Sequence, residues 1–189
     1  MPFRHLVVLL LFLLGLSAYG QDKAFQDRTA IGFQLGQYQR DFAVGAQLSS
    51  PYFGGRFHMA VRAQFNVAWL DHLDPASLET TWTAYRNGRL GVVFGTPVQG
   101  GFFRYYGEAG ILVVFPDEAF STSDNELGGY GLFGFEFLFN EGGLSGRAFF
   151  FELGGVGTGA NADKVPGNPI YSNGLILNAG VRFHLGGKG

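Results

Sequence analysis

Apolar and polar residues alternate with a period of two along most of this chain, the pattern of strands with two unlike faces. Between Arg56 and Trp69 the odd positions are Phe57, Met59, Val61, Ala63, Phe65, Val67 and Trp69, while the even positions include Arg56, Arg62, Gln64 and Asn66. The same alternation predicts strands over Thr29–Gln37, Phe42–Ser50, Arg89–Gly95, Phe102–Phe115, Gly131–Asn140, Ala148–Gly157 and Gly174–Leu185. It is plainest at Phe133, Phe135, Phe137 and Phe139, which share one face while Gly134 and Glu136 share the other. Eight such segments in succession predict an all-β fold, an eight-stranded antiparallel up-and-down barrel.

The connections alternate in length. Ser50–Gly55, Thr96–Gly101 and Asn140–Gly143 are short and rich in Gly or Pro, whereas Leu70–Glu79, Pro116–Gly128 and Thr158–Tyr171 are longer and polar. Such alternation places turns at one barrel end and loops at the other. Tyr38–Asp41 departs from it, a short connection where a long one is due. Asn87-Gly88 reads either as a bulge in strand four or as a separate turn.

The N-terminus has a different pattern. Arg4 and His5 precede the apolar run Leu6–Leu16, and Ala18 and Gly20 follow as small residues at the −3 and −1 positions of a cleavage after Gly20. Residues 1–20 therefore read as a secretory signal peptide and residues 21–189 as the barrel domain. The run is too short to span a bilayer, which takes roughly 20 apolar residues. No later run is longer, so a membrane role has to be built from strands.

Alternation does not say which face is inside, because a soluble barrel with an apolar interior has the same period. Composition decides. The polar face is rich in Gly, Ala, Gln, Asn and Ser with sparse Arg and Glu, which suits the cramped interior of eight strands. Lys, the usual coat of a wet sheet, occurs at Lys23, Lys164 and Lys188. The apolar face carries Phe42, Phe57, Trp69, Phe103, Tyr105, Phe115 and Phe183 near strand ends, in the manner of interfacial girdles. Gly accounts for 31 of 189 residues and Phe for 21, which favours sheet over helix. The absence of Cys excludes disulfides and thiolate metal sites, and a net charge of −2 removes nucleic acid as a default partner.

The last strand adds Asn178, Gly180, Phe183 and Leu185, spaced as polar-x-Gly-x-x-hydrophobic-x-hydrophobic. This resembles the C-terminal signal read by the barrel assembly machinery. With the signal peptide and eight strands, the chain is similar to small outer-membrane β-barrels of the OmpA-transmembrane, OmpX or OmpW kind. Gly186, Gly187, Lys188 and Gly189 depart from that class, whose members often end on the aromatic residue itself. The resemblance implies residence in the outer membrane of a Gram-negative-type envelope, with lipid and the assembly machinery as partners. It implies a location and a fold more than a function.

Candidate chemistry lies on the polar face and in the loops. Arg62, Arg89, Arg104 and Arg182 share the predicted interior with Glu108, Glu136 and Glu152. Buried ions demand partners, so these residues read as a salt-bridged network filling the lumen, or else as a polar path gated by exchanging pairs. Eight strands enclose side chains and little more, which disfavours a wide porin. The longer loops carry Asp71, Asp74, Glu79, Asp117, Glu118, Asp124, Glu126 and Asp163 against Lys164. Carboxylate oxygens suit divalent cations or a surface ligand, but the spacing matches no calcium loop and solvation is the plainer reading. Two eight-strand families, the lipid A palmitoyltransferase and deacylase, place Ser and His near the outer surface. Here His72, Asp74 and Ser77 are the nearest set, within a loop and in no triad arrangement. No catalytic residue, cofactor or metal site is expected. The leading reading is a non-enzymatic barrel with a structural or surface-interaction role, and the alternative is a narrow OmpW-like channel for small solutes.

Overall fold

The computed structural model describes residues 28–139 and 146–185. The predicted signal peptide, the Asn140–Gly143 turn and the tail after Leu185 lie outside the described residues. The strands are β1 (Thr29–Gln37), β2 (Asp41–Ser49), β3 (Met59–Leu73), β4 (Thr80–Gly95), β5 (Phe103–Phe115), β6 (Glu126–Phe139), β7 (Arg147–Thr158) and β8 (Gly174–Leu185). Each pairs antiparallel with the next, and β1 pairs with β8, from Thr29 opposite Leu185 to Gln37 opposite Leu177, so the sheet closes on itself.

Apolar residues face outward and polar residues inward. Phe33, Phe65, Leu90, Ile111 and Phe151 are all exposed on the outer face, while Arg62, Arg104, Glu136 and Glu152 are at most 2% exposed. A soluble barrel with an apolar core is the inverse of this arrangement. Inward glycines make the lumen possible. A Cβ on Gly134 would meet the Tyr106 ring, one on Gly91 the Tyr130 hydroxyl, and one on Gly180 the Phe150 ring. Each glycine leaves its volume to a large side chain from a neighbouring strand.

Several boundaries differ from the sequence reading. β3 starts at Met59 rather than Arg56, because Gly54, Gly55 and His58 all have positive φ and form a short 3-10 turn, Gly55–Phe57, ahead of it. β4 starts at Thr80, nine residues before the predicted Arg89, and its register against β3 runs unbroken from Met59 opposite Phe94 to Leu73 opposite Thr80. Asn87 and Gly88 sit in that ladder opposite Asn66 and Phe65, so they form neither a bulge nor a turn. Thr80, Thr81, Trp82, Thr83 and Tyr85 are strand-favouring residues, and the alternation continues through them. The expected loop Leu70–Glu79 therefore shrinks to residues 74–79. Asp71 belongs to β3 and Glu126 opens β6, so neither is a loop residue.

Candidate functional site

The inward positions of five strands bring Arg62, Arg104, Glu108, Glu136, Glu152 and Arg182 into one continuous cluster. Arg62 Nη1 donates to Glu108 Oε2 at 2.6 Å and to Glu152 Oε1 at 3.1 Å, joining β3 to β5 and to β7 across the lumen. Arg182 Nη1 donates to Glu136 Oε1 at 2.9 Å and its Nη2 lies 3.5 Å from Glu152 Oε1. Arg104 Nε donates to Glu136 Oε2 at 2.8 Å, with its Nη2 bound to the same oxygen. His184 Nε2 meets Glu136 Oε1 at 3.1 Å. Every carboxylate thus has a guanidinium partner, which is what keeps so many ions tolerable away from water.

Neutral groups complete the coordination. Tyr106 and Tyr130 donate their hydroxyls to Glu152 and Glu108, both at 2.6 Å, and Gln64 and Asn178 add amide donors to the same carboxylates at 3.1 and 2.9 Å. Gln47 accepts from Arg182 Nη2 at 2.8 Å and donates to Gln34 at 3.1 Å, which carries the network into β2 and β1. Guanidinium planes rest on rings, with Arg182 4.4 Å from the Phe150 centroid, Arg104 4.5 Å from Tyr52 and Arg62 4.9 Å from Tyr106.

Arg89 stands apart. It has no carboxylate partner among the described residues; its Nη2 donates to the Tyr38 hydroxyl at 2.7 Å, and its plane lies between the rings of Tyr38 and Tyr130. It belongs to the lumen but not to the ion pairs.

Both ends of the lumen are covered. At the turn end Val98, Leu138 and Ala148 form a small buried apolar cluster. At the loop end Phe120 and Tyr171 come inward from the β5–β6 and β7–β8 loops and pack with Tyr85, at centroid separations of 5.1 Å for Phe120–Tyr171 and 5.3 Å for Tyr85–Tyr171. The Ser172 N–H donates to Asp41 Oδ2 at 2.7 Å, the Tyr85 hydroxyl donates to the same oxygen, and Ala160, Ala162 and Val165 of the β7–β8 loop are buried. The two loops also bind each other. Lys164 N donates to Phe120 O at 3.1 Å and Lys164 Nζ to Glu118 O at 2.7 Å, while Asp163 accepts both the N–H and the hydroxyl of Thr122. These bonds to its anionic form hold the Asp163 carboxyl below the ordinary 3.8.

The loop carboxylates do not converge. Asp74 Oδ1 accepts the Ala76 and Ser77 N–H groups and Asp117 Oδ1 accepts the Ala119 N–H, each closing its own turn. Glu118 and Asp124 are exposed. Among the described residues no three His, Asp or Glu side chains gather as a metal cage. His72 is in β3 rather than in a loop. It is buried under Phe120 with Nε2 2.9 Å from Thr83 Oγ1, so it forms no triad with Ser77 and Asp74. In β8, Asn178 and Gly180 face the lumen while Phe183 and Leu185 face outward. Tyr106, Tyr130 and Phe150 have inward parity in the sequence, a signal that was there to be read. Phe120 and Tyr171 lie in irregular loops, where parity says nothing.

The barrel has a solved counterpart. The structure is similar to the N-terminal β-barrel domain of Pseudomonas aeruginosa OprF, with a TM-score of 0.55 and 12% identity over 85% of this chain and 98% of that one. The chain has the fold of the OprF barrel domain. No protein-family model matches the sequence, and no curated protein matches it. At this identity the OprF-like likeness is one of fold: a small closed barrel of eight antiparallel strands, with the strand order read from the sequence.

Proposed function

We propose that this chain is a non-enzymatic outer-membrane barrel, exported by the signal peptide at residues 1–20 and folded through the assembly signal at Asn178, Gly180, Phe183 and Leu185, with a structural or surface-interaction role. Membrane insertion is supported by the outward band of Phe, Leu, Ile and Val on all eight strands, a surface that water would not tolerate. The observation that carries the closed-barrel reading is the plug: ion pairs bridging opposite strands, covered at the loop end by Phe120 and Tyr171. Such a lumen stiffens the barrel and leaves recognition to the loop surface.

Planar-bilayer recording of the refolded mature protein tests this. A heat-modifiable, folded barrel that gives no discrete current steps agrees with the plug; reproducible steps overturn it and favour the narrow OmpW-like channel. In that case Arg62 and Glu108 are the first lumen positions to vary.

A further inference from the structure

The buried charges of the lumen do not balance at Arg89. Among the described residues Arg62, Arg89, Arg104 and Arg182 share the interior with Glu108, Glu136 and Glu152, and all seven are at most 3% exposed. Each glutamate is already engaged. Glu108 accepts from Arg62, Gln64 and Tyr130, Glu136 from Arg104 and Arg182, and Glu152 from Arg62, Tyr106 and Asn178. Turning one of them to Arg89 strands another donor. Asp41, the remaining buried carboxylate among the described residues, is pinned at the lid by Ser172 and Tyr85. From there to Arg89 the hydrogen bonds run through neutral groups: Tyr85 to Ser172, Asn87 Nδ2 to Ser172 and to Tyr38, and Arg89 to Tyr38.

A guanidinium has five N–H donors. Arg89 Nη2 has the Tyr38 hydroxyl as acceptor at 2.7 Å, whereas Nε and Nη1 are sealed from solvent with no acceptor among the described residues. Arg104 Nη1 and Arg182 Nε also lack one, but each of those guanidiniums has a carboxylate on another nitrogen. The rings of Tyr38 and Tyr130, with centroids 5.5 and 5.6 Å from the guanidinium carbon, cover the faces of Arg89 and leave its N–H edge. A buried cation with bare donors is costly, and a counter-ion removes the cost.

We propose that the lumen holds a small monovalent inorganic anion of the halide class on Arg89 Nε and Nη1. One positive charge calls for one negative charge. A divalent anion meets like charge, because Tyr130, on one face of Arg89, has its hydroxyl 2.6 Å from Glu108. A larger organic acid meets crowding, because the amides of Gln34, Gln64, Asn66 and Asn87 are buried and bonded to one another around this level. The anion completes the charge balance of the plug without opening it. The inference rests on the plugged lumen described above and is independent of what surrounds the outer face.

The test is the dependence of unfolding on chloride at constant ionic strength, with gluconate, too bulky for a lumen of eight strands, as the replacing anion. For the refolded mature protein in urea, the folding constant is expected to rise about tenfold for each tenfold rise in chloride once the site is near saturation, the linkage for one bound ion. R89M keeps the stem and removes every donor. It should show a flat chloride response, and in gluconate it should unfold at higher urea than wild type, since it has no bare cation to bury. Crystals of wild type grown in bromide should give an anomalous peak at Arg89 Nε and Nη1, a measurement that needs no variant. A flat chloride response in wild type, the same response in R89M, or ordered water alone on those nitrogens overturns the proposal. Discrete current steps in a bilayer defeat the plug itself, whereas a silent barrel with a flat chloride response defeats the anion alone.

Discussion

The turn-side part of the lumen and the loop-end mouth are closed by different chemistry. Below, guanidiniums and carboxylates from β3, β5, β6, β7 and β8 pair across the barrel, each held by a strand position fixed on both sides by its neighbours. Above, the closure is made by rings and by hydrogen bonds to the Asp41 carboxylate, with no guanidinium, and its key members, Phe120 and Tyr171, come from loops. The ion pairs are costly to break because each lost partner strands a charge away from water. The lid members are less costly to alter because a displaced loop can meet solvent.

The sharpest way to break the contrast is at Glu136, which serves Arg104, Arg182 and His184 at once. Glu136→Ala is expected to cost about 3–5 kcal/mol, the scale for removing one side of a buried pair. Urea unfolding of the barrel refolded in lipid vesicles would read it, and a loss no larger than that of a lid variant would erase the distinction. Phe135→Arg asks a prior question, which face meets lipid, and should cost roughly 2–4 kcal/mol for a charge near the bilayer midplane. Little change there would mean the outer face is not embedded.

Phe120→Ala should weaken the lid with a smaller global loss, on the order of 0.5–3 kcal/mol, and should speed amide exchange at Ser172 and Lys164 while leaving Arg62 and Glu152 protected. The smallest effect concerns pH. The folded carboxyl of Asp163 lies below the ordinary Asp value of 3.8, so its hold on Thr122 is fully present above that value and is lost as pH falls through the lowered one. Protease nicking of the β5–β6 loop should rise in that acid window, and Asp163→Asn should flatten the pH dependence.

The same two regions mark how far the sequence could be read. Arg62, Glu108, Glu136 and Arg182 were legible as lumen residues because strand parity assigns an inward face without knowing the partner. Which guanidinium meets which carboxylate was not legible, since that depends on cross-barrel geometry. Arg89 shows the gap: by composition it belongs with the ion pairs, and by position it belongs with Tyr38 and Tyr130. The β3–β4 hairpin was read too short. Its outer part contains Asp71, His72, Thr80 and Thr81, polar residues that look like loop, while the pairing of Thr80–Tyr85 with Ala68–Leu73 makes it sheet. The lid was invisible because Phe120 and Tyr171 follow no period.

Closure through β1 and β8 has a kinetic consequence. Thr29 cannot find Leu185 until nearly the whole described chain has been laid down, so the seam is among the most distant contacts the barrel makes, and distant contacts form slowly. Arg182 belongs to that last strand. Until it arrives, Glu136 has Arg104 and Glu152 has Arg62, and neither has its second guanidinium. The final strand is therefore both the edge that completes the hydrogen-bond ring and the counter-charge that the waiting carboxylates lack. A nascent barrel with β8 undocked is open along one side and short of one positive charge, and both deficits vanish in the same step.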